Sequence, residues 1–148
     1  MSNLAHAKSF RDLVVYQKAR ELSKEIFQLS KSFPKDENFS LTGQIRRSSR
    51  AIGANIAEAW AKRKYEKHFV SKLTDADGEQ QETQHWIGTA LDCGYITAQT
   101  EKTIDEHCAE IGRMLGGMME KAELFCGDTL RLTHEAKAEY LIASDTDD

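Results

Sequence analysis

Basic side chains are concentrated in one short part of the sequence, and their chemistry suits the binding of phosphate groups. Three arginines fall between positions 46 and 50, and the run KRKYEKH follows at positions 62–68. Guanidinium and ammonium groups neutralise phosphates, and aromatic side chains such as Trp60 and Tyr65 can stack on bases. We therefore predict a surface that binds nucleic acid or a nucleoprotein partner without base-specific readout. The candidate phosphate contacts are Arg46, Arg47, Arg50, Lys62, Arg63, Lys64 and Lys67.

The same stretch also has the pattern of a helix that packs closely against a neighbour. At about 100° per residue, Arg46, Arg50 and Lys64 fall together beside the apolar face, and Arg47 lies further round. A glycine in a helix interior costs about 1 kcal/mol relative to alanine, so Gly53 indicates close helix approach. In this interpretation the arginines pair with acidic residues from later in the chain, and both roles can hold at once. The ladder of small residues is Ser49, Gly53, Ala57 and Ala61.

Charge is distributed unevenly along the chain. The net charge is −4, but residues 1–72 hold 15 Lys+Arg and 7 Asp+Glu, whereas residues 73–148 hold 5 and 17. The basic half either meets nucleic acid or attracts the acidic half, within one subunit or between subunits. A pI of about 5.8 argues against indiscriminate nucleic-acid binding. The alternative function is therefore a ring-forming assembly protein whose basic and acidic halves pair head to tail, without nucleic acid.

Motifs for enzymatic chemistry are weak in this sequence. Glu82 and His85 form one E-x-x-H motif, whereas ferritin-like metal bundles use two such motifs and two further glutamates. No G-x-S-x-G, P-loop or Rossmann pattern occurs. Cys93, Cys108 and Cys126 are odd in number and far apart, which favours free thiols in a reducing cytoplasm. Their buried-stripe or link positions argue against a cysteine nucleophile. We therefore predict a cytoplasmic protein that is not an enzyme and holds no metal or cofactor.

Length and composition predict a single all-helical domain. The 148 residues include one proline, Pro34, and are rich in strong helix-forming residues. Helices are expected at about 10–32, 40–63 and 98–125, with another between KRKYE and the stop signal CGYIT. Ser9 with Asp12 is expected to cap the first helix, and Ser40 the second. Gly94 suits a left-handed cap after the third helix.

These elements predict an antiparallel up-down four-helix bundle at residues 1–127. A weakly structured C-terminal tail at 128–148 should be partly helical and then disordered, because SDTDD is strongly acidic. No apolar run of about 18 residues occurs, so no membrane-spanning helix is expected. The N-terminus lacks the apolar core of a signal peptide.

Helical spacing also predicts which side chains are buried. On the third helix, polar Gln80 and Thr83 fall at inward-facing positions, and Tyr65 falls on the same face. Asn55 and Glu58 lie near the buried face of the second helix, where polar residues usually satisfy a core network. The expected apolar core includes Leu13, Leu22, Ile26, Leu41, Ile45, Ile52, Ile56, Trp60, Phe69, Leu73, Ile87, Ile104, Cys108, Ile111, Leu115, Met118 and Phe125.

The first half of the chain resembles a known bacterial family. The resemblance lies in FRDLVVYQKARELSKEIFQLSKSFPKDENFSLTGQIRRSSRAIGANIAEAW, with the segments at Glu82–Gln84 and Gly94–Ile96 adding to it. These motifs resemble the four-helix-bundle proteins encoded by intervening sequences in 23S ribosomal RNA genes. The resemblance covers about residues 10–125 and is specific as a combined pattern.

The resemblance implies an up-down bundle and a homo-oligomer, with ring-shaped pentamers among the relatives. Similar proteins serve diversity-generating retroelements as accessory factors that bind nucleic acid and the reverse transcriptase. It therefore suggests RNA, DNA or a nucleic-acid-processing protein as a partner. Two departures lie in the second helix, where Gly53 stands in place of a family proline and Ala59 in place of a glycine. A kink expected from the family pattern is therefore not expected here.

Overall fold

Four long helices make up most of the structure, a computed structural model that describes residues 7–126. They are α1 (Val14–Ser30), α2 (Leu41–Ala61), α3 (Glu66–Asp92) and α4 (Ala98–Glu120). Each helix packs against the next one in the chain, to which a short link joins it. Helix α1 also packs against α4, which closes an antiparallel up-down bundle. The predicted fold class is confirmed. The predicted tail at 128–148 lies outside the described residues.

The first helix begins later than the sequence pattern predicts. Ser9 and Asp12 do form a capping box, but it caps the short 3-10 turn Phe10–Asp12. Leu13 is then extended, with φ −74° and ψ 128°, and separates this turn from α1. Two further 3-10 turns, Lys35–Glu37 and Ala122–Leu124, lie in the α1–α2 link and after α4.

The core follows the predicted apolar stripes with three exceptions, Tyr65, Trp60 and Met118. Ile45, Ile52 and Phe69 are fully buried, as are the apolar stripe residues of α4 up to Leu115. Tyr65 is 57% exposed, contrary to prediction. It is the extended residue before α3, so its side chain does not follow the helical face. Trp60 and Met118 are only partly buried and pack against the edge of the core.

Polar residues occupy the middle of the α2–α3 and α3–α4 contacts, as predicted. Gln80 is 4% exposed and Thr83 is 0% exposed. The Thr83 hydroxyl lies 2.9 Å from the Ser48 hydroxyl across the α2–α3 contact. The Gln80 amide donates to Asp77 at 2.9 Å, and a Cβ on Gly112 would lie only 2.8 Å from that nitrogen. The buried amide therefore fits because α4 has a glycine opposite it.

The end of the bundle that holds the α1–α2 and α3–α4 links is tied together by one glutamate. Glu37 accepts the Tyr95 hydroxyl at 2.8 Å, and this hydrogen bond raises the pKa of Tyr95 to about 12. Glu37 also accepts the backbone N–H of Leu41 at 3.3 Å. Ser40 makes no side-chain cap bond, so its predicted capping role is wrong and Glu37 supplies the acceptor instead. Gly94, with φ 76°, closes α3 as expected.

Candidate nucleic-acid interface

Arg46 and Arg50 form an arginine pair on the flank of α2 that faces α1. Both guanidinium groups lie over the ring of Phe27 in α1, at 4.7 and 5.6 Å from its centroid. The Nε of Arg46 also donates to the Ser30 hydroxyl at 2.8 Å. These contacts orient the two side chains without neutralising them, because an aromatic ring and a hydroxyl carry no formal charge. Among residues 7–126 neither arginine has a carboxylate within 4.0 Å.

Arg47, between them in sequence, lies on the opposite flank of α2 and faces α3. It forms ion pairs with Glu79, at 3.2 Å, and with Glu82. The hydrogen bonds to Glu79 and Glu82 raise the pKa of Arg47. The pKa of Glu82 is lowered, first by the hydrogen bond that it accepts from Trp86 at 3.0 Å and then by Arg47. Two carboxylates therefore already neutralise the charge of Arg47.

The E-x-x-H motif belongs to the same network. Glu82 is held by Arg47 and Trp86, and the ring of His85 packs edge-on against Trp86 at 4.7 Å. Within residues 7–126, no group of three or more His, Cys, Asp or Glu side chains is placed to hold a metal ion. The described helices also include none that is long and apolar enough to cross a membrane.

A second basic group, the corner cluster, lies at the turn between α2 and α3. Arg63 stacks on the Trp60 ring at 3.6 Å and donates to the Trp60 carbonyl at 2.9 Å, and burial lowers its pKa. Arg63 therefore covers one face of the Trp60 ring. Tyr65 is exposed, and its ring centroid lies 5.4 Å from that of His68. The corner cluster consists of Lys62, Arg63, Lys64 and Lys67. Among residues 7–126 none of these four cations has a carboxylate within 4.0 Å.

The arginine pair and the corner cluster are separated along α2. Arg46 and Ala61 are about 22 Å apart at 1.5 Å per residue. The interval is occupied by small residues, and at Gly53 a Cβ would meet the Tyr16 ring of α1 at 3.5 Å. The predicted ladder of small residues therefore does pack against α1 near Gly53, whereas Ala61 at its end is exposed.

Sequence reasoning missed the contribution of α1. Tyr16, Arg20 and Phe27 line the flank that faces the arginine pair, and Arg20 is exposed at 6.0 Å from the Tyr16 ring centroid. The signal was present, because Tyr16, Arg20 and Phe27 recur at helical spacing, but α1 was interpreted only as a source of core residues.

The other flank of α2 is acidic. Asp75, Glu79 and Glu82 line a cavity of about 400 Å³ between α2 and α3. Lys72 of α3 pairs with Glu58 of α2 at 3.3 Å across the same contact, and with Asp75 of its own helix at 3.6 Å. Glu58 thus pairs at the surface, and Asn55 donates to the Ala51 carbonyl at 2.9 Å within its own helix. Neither forms the core network that the sequence suggested.

Comparison with known proteins places this bundle among relatives of undefined role. A crystal structure from Bacteroides thetaiotaomicron, of a protein of unknown function from the S23 ribosomal protein family, is similar with a TM-score of 0.66. It shares 31% sequence identity, over 72% of this chain and 96% of that chain. No curated protein matches the sequence. The family model described as 23S rRNA-intervening sequence protein matches residues 11–117. The chain therefore belongs to the 23S rRNA-intervening sequence protein family.

Proposed function

We propose that this protein is a non-enzymatic, oligomeric bundle that binds nucleic acid through the arginine pair and the corner cluster. One observation carries the proposal: of the seven predicted cations, only Arg47 has a carboxylate partner within residues 7–126. The other six stand at or near α2 without a carboxylate within 4.0 Å in that range, in a protein whose net charge is −4. Six such cations that the described part of the chain does not pair favour an external anion as their partner.

The physical character of the surface suits phosphate contact without base readout. The arginine pair lies against an aromatic ring, and the corner cluster lies at a turn between two helices. This arrangement does not present one helix face to the major groove of a duplex, so it suits contacts to phosphates rather than to base edges. Each phosphate neutralised on a duplex should lower log Kobs with a slope of about −0.9 against log salt. The family name points to structured RNA as the first ligand to test, and a nucleic-acid-processing protein would be a further partner.

The test is fluorescence anisotropy of a labelled structured RNA across a salt series. Arg46→Gln with Arg50→Gln, and separately Lys64→Gln with Lys67→Gln, should each weaken binding and flatten the salt dependence. Lys102→Gln with Arg113→Gln on α4 removes the same charge from exposed positions away from α2 and should leave binding nearly unchanged. Absence of binding by the wild type at low salt would refute the proposal.

Ring assembly is the second candidate, and the two flanks of α2 support it. The α1-facing flank carries Arg46 and Arg50, which have no carboxylate within 4.0 Å in the described part of the chain, and the α3-facing flank carries the acidic cavity of Asp75, Glu79 and Glu82. A contact between unlike flanks is heterologous and closes into a ring when the rotation permits, as in a pentamer. Phe39, fully exposed in the α1–α2 link, adds apolar surface for such a contact.

The oligomeric state tests this candidate independently of RNA. Light scattering after size exclusion should show a closed homo-oligomer that Arg50→Glu dissociates. A chain that carries both Arg50→Glu and Asp75→Lys should reassociate if these flanks meet, since the reversed charges then attract at every contact of a ring of any size. A monomer at all protein concentrations would exclude the ring.

A cytoplasmic location is part of the proposal and is supported by the free thiols of Cys93, Cys108 and Cys126.

A further inference from the structure

A groove between α1 and α2 lies in the interval that separates the arginine pair from the corner cluster. Its volume is about 320 Å³, which is at the lower end of the range for small-molecule sites. Its lining includes Phe10 and Tyr16 on one side, Gly53 and Ala57 on the floor, and Arg20 and Arg50. Among residues 7–126, the residues that line it include no carboxylate.

The aromatic side of the groove is held in place by its neighbours. The rings of Phe10 and Tyr16 meet edge to face, with centroids 4.8 Å apart and an interplanar angle of 78°. The guanidinium of Arg11 lies 4.5 Å from the Phe10 centroid and supports that ring. The groove therefore has a fixed apolar wall, and a planar group can contact it without a large ordering cost.

Small residues on α2 keep the groove open. Gly53 lines the groove, and an added Cβ there would lie 3.5 Å from the Tyr16 ring and 3.9 Å from Ala19 Cβ, so a larger side chain would take up space between α1 and α2. Ala57, one turn later, has only a methyl group to offer the same space. A leucine at position 53 would fill the groove without altering any charge.

The two arginines give the groove an anionic preference. Arg20 and Arg50 come from different helices, and neither has a carboxylate within 4.0 Å among residues 7–126. A ligand that satisfies both parts of the groove has a flat apolar face and an adjacent negative group. A nucleotide has this combination, with the base as the flat face and the phosphate as the anion.

We propose that the groove holds one unstacked nucleotide of a single-stranded nucleic acid, with the base beside Tyr16 and the phosphate between Arg20 and Arg50. This inference rests on the proposed function and specifies the ligand class. A paired base is stacked within its duplex and does not reach the groove, so single strands should bind better than duplexes of equal charge. The walls around the base are apolar, so the site should tolerate any base.

Four full-length proteins test the groove by anisotropy with a labelled single-stranded oligonucleotide and a hairpin duplex of equal phosphate number. Gly53→Leu should weaken single-strand binding about tenfold, which is within the range measured for loss of one base stack, and leave duplex binding within about twofold. Gly117→Leu is the matched control, because Gly117 is an exposed glycine inside α4 with open space around it. Arg20→Gln removes a groove cation outside the six proposed contacts and should weaken single-strand binding selectively. Circular dichroism checks that each variant folds.

The outcomes separate the groove from the proposed function. Equal binding of single strands by wild type, Gly53→Leu and Arg20→Gln, with binding still lost on mutation of the corner cluster, would overturn the groove and keep the function. No binding of either oligonucleotide by the wild type would overturn both. If Gly53→Leu changes the oligomeric state while the affinity for single strands is unchanged, the groove is a contact with a second copy of the chain. That result would overturn the proposal that the groove binds a nucleotide.

Discussion

The two flanks of α2 show how adjacent arginines with the same chemistry come to have different environments. Arg46 and Arg50 lie over Phe27 of α1 and have no carboxylate partner among the described residues. Arg47 follows Arg46 directly, about 100° round the helix, and is bound by two carboxylates of α3. At Ser48 and Arg47 the α3 flank is tied to α2 by a buried hydroxyl contact and ion pairs, whereas at Gly53 the α1 flank leaves an open groove lined by apolar and basic residues. Stability and binding should therefore separate along a single helix.

The largest expected effect comes from filling each flank with the same side chain. Ser48→Leu places a leucine where a buried hydroxyl contacts Thr83, and we expect a loss of about 1–3 kcal/mol in the free energy of unfolding from overpacking. Gly53→Leu replaces a helix-interior glycine at the open groove, where an added Cβ would make only ordinary contacts with Tyr16 and Ala19, so its loss in the free energy of unfolding should be smaller than that of Ser48→Leu. Urea denaturation monitored by circular dichroism measures both. Equal destabilisation by the two variants would mean that the α1 flank is as closed as the α3 flank.

Charge reversal on α2 should have the next largest effect, which is on the affinity for RNA rather than on the free energy of unfolding. Arg50→Glu should weaken RNA binding by about tenfold at low salt, because it replaces a phosphate contact with a repulsive charge. Arg47→Glu changes the net charge equally but acts at a position already neutralised by Glu79 and Glu82, so its effect on binding should be below about threefold. Anisotropy titrations of the same RNA measure both. Equal losses would show that the ligand responds to net charge and not to the geometry of the flanks.

Much of this contrast was open to prediction from the sequence. The 3.6-residue period placed Gln80 and Thr83 in the core and separated Arg47 from Arg46 and Arg50, as the structure has them. These successes share one cause, because a position on a regular helix is fixed by spacing alone. The prediction of a buried Tyr65 was wrong, since this residue lies at a helix end where the pattern no longer determines direction. Trp60 is only partly buried, and Ser40 occupies the predicted N-cap position but makes no side-chain cap bond.

Partners across helices were not predictable from spacing. The pairing of Arg47 with Glu79 and Glu82 depends on the register of α3 against α2, and the support of Arg46 by Phe27 depends on that of α1. A wheel diagram shows which flank a side chain occupies, but it contains no information about the neighbouring helix at the same height. The groove is hidden for the same reason, because its two sides come from segments more than 25 residues apart in sequence.

The ion pairs of Arg47 should contribute a smaller and salt-sensitive part of stability. Its side chain is 47% exposed, so the pairs are screened, and Arg47→Gln should cost no more than about 1 kcal/mol in the free energy of unfolding. The loss should shrink in 1 M salt, where the Debye length falls to about 3 Å. Arg113→Gln, an exposed arginine of α4 without an ion pair among residues 7–126, is the matched control and should show no salt-dependent loss. A salt-independent loss at position 47 would attribute the effect to packing.

The smallest effect concerns the pH dependence of the α3 flank. The pKa of Glu82 is lowered from 4.5, first by the hydrogen bond from Trp86. Since the folded carboxyl binds its proton less readily than the unfolded one, its stabilisation is present above pH 4.5 and is lost as the pH falls through the folded pKa. Trp86→Phe removes the first cause of the shift, so the variant should lose less stability than the wild type on acidification below that pH. The α1 flank has no carboxylate in the groove and should contribute nothing to this slope.

Urea denaturation at stepped pH values, from neutral down through the acidic range, compares the slopes of the two proteins. The slopes are the quantity of interest, because Trp86→Phe also changes packing and shifts the absolute free energy of unfolding at every pH. Glu82→Gln is the control that removes the titrating group and should show the shallowest acid slope of the three. If Trp86→Phe kept the full wild-type slope, the low pKa of Glu82 would be due to Arg47 rather than Trp86. The α3 flank would then depend on the same arginine for both its ion pairs and its pH response.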